Sequence, residues 1–147
     1  MTREPGVVQT EEAATATDHL EVDYVGGEEY EITVRGHRVR VDQPTGSGGA
    51  DQAPTPTELF VGSLAACVAF YAGSYLTRHS FDRDGLRVQS EFVMATGRPA
   101  RVATIRISVH PPTGFPAERA AALAAVASHC TVHNTLLHQP EITVAVV

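Results

Sequence analysis

The sequence predicts an α+β domain: antiparallel sheet, two long helices, and the first of these helices buried at the centre. Three observations lead there. Short stretches between residues 20 and 41 alternate apolar with charged side chains, the period of a strand. Leu59–Thr77 then runs 19 residues without a charge, too long for a strand. After it come two more strand-like stretches, an alanine-rich helix and a last alternating segment, giving the order βββ-α-ββ-α-β.

The elements follow in order. Residues 1–18 read as an irregular acidic tail, and 19–147 as a single domain. Leu20–Tyr24 is the first strand and Gly26-Gly27 its turn. Tyr30, Ile32 and Val34 mark the second strand, Arg35-Gly36 a turn, and His37–Val41 the third. Residues 44–54 (PTGSGGADQAP) form a loop by composition. Thr55, Pro56 and Glu58 then make a strong helix start: a capping threonine, a proline at the first helical position, and a glutamate three residues after the cap. From Leu59 to Leu76 apolar residues cover every face, which predicts burial all round. Leu86–Thr96 and Val102–Val109 read as a hairpin around Gly97-Arg98-Pro99. Pro116 opens the second helix through His129. Thr131–Leu137 adds a short helical turn, and Glu141–Val146 reads as a final strand.

Charge and composition exclude several functions. The net charge of −6 is concentrated at the start: residues 1–31 hold nine acidic side chains and one basic. No basic run suggests nucleic acid. All eleven basic residues are arginine, so Schiff-base chemistry and a P-loop lysine are excluded. Gly46, Gly48 and Gly49 precede no GK[ST], and Ser63 lacks the second glycine of a nucleophile elbow. The uncharged helix is long enough for a membrane span, but its glycines, serines and alanines and its lack of basic or aromatic flanks favour a core helix. The polar start shows no signal peptide, so a cytoplasmic location is expected.

Two cysteines carry the chemistry. Cys67 and Cys130 are too few for a disulfide scaffold or a structural zinc cluster, but sufficient for a reversible dithiol/disulfide couple. Cys67 lies mid-helix among Ala65, Ala66, Val68 and Ala69, where a cysteine also serves as a small hydrophobe. A reactive thiol there needs a nearby cation, and the arginines of the third strand (Arg38 among them) are available. Cys130 falls where one helix stops and another starts, so backbone amides could favour its thiolate; plain helix capping is the alternative. Glu58 completes the capping box. Nine residues at 100° place it opposite Cys67, which favours the cap over contact with the thiol. His129, His133 and His138 match no zincin or zinc-finger spacing, so neither a metal nor any other cofactor is expected.

These residues together resemble the OsmC/Ohr family. The similarity is carried by GHRVRVDQP, by GGADQAPTPTELFVGSLAACVAFYA and by HCTVHNTL with the terminal strand. It spans about Val22 to Val146. Thr131 stands where the family motif has proline. The resemblance implies an intertwined homodimer with sites at the subunit interface. It implies that Cys67 is the peroxidatic and Cys130 the resolving cysteine of a thiol-dependent peroxidase. Hydroperoxide is the implied substrate and a dithiol the implied reductant, with Glu58 and Arg38 supporting; neither nucleic acid nor membrane is an expected partner. Two departures point to the broader OsmC-like branch. Glu28 follows Gly26-Gly27 where the organic-hydroperoxide branch has arginine, and Thr57 follows Pro56 where that branch has glutamate. The alternative function is a dimer holding a small hydrophobic ligand at its interface, without peroxidase activity.

Overall fold

The computed structural model describes residues 17–147; the expected tail falls largely outside them. Three strands come first: β1 (Glu21–Gly26), β2 (Glu29–Val34) and β3 (His37–Val41). They form an antiparallel sheet in the order β1-β2-β3. Its register sets Val22 against Ile32 and Ile32 against Val39. Tyr24 pairs Tyr30, and Tyr30 pairs Val41. Because side chains alternate along a strand, one face is apolar apart from His37, and the other carries the charged side chains. On the charged face Arg40 bonds Glu31 at 2.9 Å and Glu29 at 3.0 Å.

Asp42 governs the loop that follows. It is buried, and its carboxylate accepts hydrogen bonds from the backbone amides of Gln43, Ala50 and Gln52. The Gln52 amide, and then those of Gln43 and Ala50, hold its carboxyl below the usual range against the opposing effect of burial. Gly49 lets the loop close: a Cβ there would sit 1.9 Å from the Gln43 carbonyl oxygen. The loop delivers the chain to α1 (Pro56–Arg78), which begins with the expected capping box. Thr55 Oγ1 accepts from the Glu58 amide at 3.1 Å, and Glu58 Oε2 accepts from the Thr55 amide at 2.9 Å.

The hairpin is β4 (Arg87–Met94) and β5 (Val102–His110), a separate antiparallel pair. Val88 opposes Val109 and Phe92 opposes Ile105. One face of it, with Val88, Ile105, Ile107 and Val109, packs on a core of Leu64, Val68, Ala72, Tyr75 and Leu76 from α1. The last helices are α2 (Ala120–Ala127) and α3 (Thr131–Leu137). Leu123 and Ala127 of α2 and the side chain of Cys130 complete the core.

Four expectations need correction. The second helix is short: Pro116 is extended and Ala117–Arg119 form a 3-10 turn before α2, so among the described residues only α1 is long. Thr131–Leu137 is a seven-residue helix rather than a single turn. Within one chain α1 is not buried all round. Val61, Leu64, Val68, Ala72 and Tyr75–Leu76 form its buried face, while Phe70 is 64% exposed. Glu141–Val146 is not a strand here, because among the described residues no strand pairs with it; Ile142 and Val144 are 80% and 90% exposed.

Candidate functional site

Cys67 and Cys130 come together from segments 63 residues apart. Cys67 projects from the middle of α1, and Cys130 caps the N-terminus of α3, which packs against α1. Both thiols are free, and Cys67 packs against the core cluster that holds Cys130, near enough for the two thiols to interact. Their exposures differ: Cys130 is fully buried, whereas Cys67 is half-buried.

The turn between α2 and α3 fixes Cys130. After α2 ends, its last carbonyls lack helical partners. Side chains of α3 reach back to satisfy this turn. His133 Nδ1 donates to the Ser128 carbonyl at 2.6 Å, and Asn134 Nδ2 donates to the His129 carbonyl at 3.2 Å. A carbonyl only accepts, so His133 carries its proton on Nδ1. His129 Nδ1 likewise donates to the Ala125 carbonyl at 2.5 Å. The imidazoles thus hold the backbone, and among the described residues no group of three or more side chains of metal-ligand type gathers.

Cys130 Sγ accepts the His133 amide at 3.4 Å. A helix N-terminus favours thiolate, as the sequence suggested. Burial outweighs it here and pushes the Cys130 thiol up, with contact to Cys67 adding in the same direction. Cys130 therefore keeps its proton at neutral pH.

Glu58 and Arg38 sit elsewhere. The Glu58 carboxylate is committed to the helix cap. Arg38 lies on β3 with Glu31 as its ion partner at 3.6 Å, and it is mostly exposed. The elements that chiefly pack on α1 within one chain are α2, β4, α3 and β5, so β3 does not bring Arg38 to Cys67. Sequence reasoning missed Tyr71. It stands one turn after Cys67, and its hydroxyl lies 3.0 Å from Thr131 Oγ1. The available signal was its i+4 spacing from the cysteine.

A cavity of about 550 Å³ opens beside this site between α1, α2 and β5. Leu64 and Val68, flanking Cys67 in sequence, line it with Ile107, Leu123 and Ala127; Ser128 and His133 supply polar edges.

No curated protein matches the sequence. Solved structures share the fold. A protein from Psychrobacter arcticus 273-4, named for osmotic stress induction and a detoxification response, is 22% identical with a TM-score of 0.75. That match covers 84% of this chain and 90% of the other. An organic hydroperoxide resistance protein OsmC from Legionella pneumophila is 20% identical with a TM-score of 0.61, covering 84% and 90%. An organic hydroperoxide resistance protein from Elizabethkingia anophelis, with thiocyanate bound, is 19% identical with a TM-score of 0.62, covering 86% and 92%. The family model for OsmC-like proteins matches residues 48–145, which hold α1, the hairpin and both cysteines. The chain belongs to the OsmC-like protein family.

Proposed function

We propose that the protein is a thiol-dependent peroxidase that reduces organic hydroperoxides or hydrogen peroxide through Cys67 and Cys130. The observation that carries this reading is that two free thiols of unequal exposure pack into one core as neighbours. Two structurally similar proteins named for organic hydroperoxide resistance support it. The half-buried Cys67 is the thiol that a peroxide reaches. Its thiolate attacks a peroxide oxygen: an S–O bond forms, the O–O bond breaks, and the alkoxide takes a solvent proton and leaves as alcohol. Cys130, held as a thiol, is not the competing nucleophile. Its sulfur then attacks the Cys67 sulfenic acid. The S–S bond forms, the S–OH bond breaks, and hydroxide leaves as water with the Cys130 proton. A dithiol reductant restores both thiols by exchange.

The working form under this proposal is a cytoplasmic homodimer. Two apolar surfaces support it: the open face of the β1–β3 sheet, with Tyr24 66% exposed, and the segment after α3. A second copy covers both and supplies Glu141–Val146 with a strand neighbour.

The test is peroxide consumption in the presence of a dithiol. The wild-type protein turns over, and Cys67→Ser abolishes turnover. Equal consumption by the two proteins would remove the peroxidase reading. The cavity beside the cysteines favours a second reading, a dimer that binds a small hydrophobic ligand. Binding of an apolar probe, with both thiols still titrating after mild peroxide, would favour it.

A further inference from the structure

Tyr71 and Cys67 are four residues apart on α1, so their side chains leave neighbouring positions on one helix face. Thr131 directly follows Cys130 and is the first residue of α3. The Tyr71–Thr131 hydrogen bond of 3.0 Å thus joins the turn after one cysteine to the residue after the other. Among the described residues it is the one side-chain hydrogen bond between α1 and α3.

Local structure does not need this bond. The cap of α3 is made by Cys130 Sγ, so the Thr131 hydroxyl is not used to start the helix. The first helical position needs no amide partner either, and even proline suits it. Cys130 is already extended, at φ −71° and ψ 155°, as a residue before proline prefers. The Tyr71 ring meets Phe70 edge-on, with centroids 5.7 Å apart, and that contact does not involve the hydroxyl.

We propose that the Tyr71–Thr131 hydrogen bond is a clasp that sets the approach of Cys130 to Cys67, and with it the rate and equilibrium of disulfide closure. This rests on the redox reading above. Both are positioning residues, since neither touches the reacting oxygen. The step they serve is the condensation of Cys67 sulfenic acid with the Cys130 thiol, in which water leaves. Holding two reacting groups in place raises their effective concentration. A net hydrogen bond corresponds to about a two- to tenfold change in rate or equilibrium.

The test uses the full-length protein with Tyr71→Phe, Thr131→Val, Thr131→Pro and Thr131→Ser. After peroxide, trapping of sulfenic acid separates Cys67 oxidation from closure. Oxidation keeps its wild-type rate in all four variants. Closure slows about two- to tenfold in the first three and stays near wild type in Thr131→Ser. The double variant Tyr71→Phe/Thr131→Val is no slower than either single one, because the two share one bond. A second arm forms the disulfide with diamide, a thiol oxidant that needs no peroxide chemistry. Equilibration against a reference dithiol then shifts by the same factor, about 10–30 mV towards easier reduction. Thermal melting confirms folding of each variant. Unchanged closure and unchanged equilibrium in Tyr71→Phe and Thr131→Val overturn the clasp, as do additive losses in the double variant. A wild-type protein that closes with diamide but not with peroxide overturns the peroxidase reading, and the equilibrium arm still decides the clasp.

Discussion

The two sheets of this molecule differ in what covers them. The β4–β5 hairpin lays its apolar face on α1, and α2 packs into the same core. The β1–β3 sheet has an equally regular apolar face, yet Val22 is 54% and Tyr24 66% exposed. Both obey the same two-residue alternation, so alternation alone does not create a core. The hairpin has a helix within reach, and the first sheet does not. One half of the chain covers an apolar sheet face and holds both cysteines, while the other leaves its apolar sheet face open among the described residues.

That contrast can be broken most directly through the exposed C-terminal segment. Ile142→Asp with Val144→Asp removes two apolar side chains from the proposed interface. At about 1.5–3 kcal/mol for each buried side chain, the pair weakens association by about 3–6 kcal/mol. Sedimentation should find the wild-type protein dimeric and the double variant monomeric. A monomeric wild type would mean the first sheet stays open in solution.

A smaller effect comes from the covered half. Leu76 is fully buried in the core, so Leu76→Ala should lower unfolding stability by about 2–5 kcal/mol. Val22→Ala is the companion measurement. Under the proposed dimer its loss of stability depends on protein concentration, because a second copy buries Val22. A small loss, independent of protein concentration, would show that no second copy covers this face.

The smallest effect is on pH dependence. The folded chain holds the Cys130 proton to higher pH than the unfolded chain does. Between the two pKa values the folded state binds more protons, so stability falls as pH rises. The contribution is complete below the ordinary thiol value of about 8.5 and is lost as pH climbs through the folded value. Denaturant titrations of wild type and Cys130→Ala between neutral and alkaline pH should show a steeper decline for the wild type. Parallel curves would mean that Cys130 is not shielded as its burial implies.

Sequence alone determined the local elements. The Thr55-Pro56-x-Glu58 pattern placed the start of α1, and alternation placed β3 residue for residue. Both signals lie within one turn or one strand, where backbone geometry links neighbouring residues directly. Only the tertiary structure decided which apolar faces find a partner, and it left Ile142 and Val144 without one. It also brought Cys130 against Cys67, committed Arg38 to Glu31, and joined Tyr71 to Thr131. No periodicity encodes a contact across some sixty residues. It exists because the shared core packs α3 against α1, and burial in that core is also what keeps Cys130 a thiol where its helix terminus alone would favour the anion.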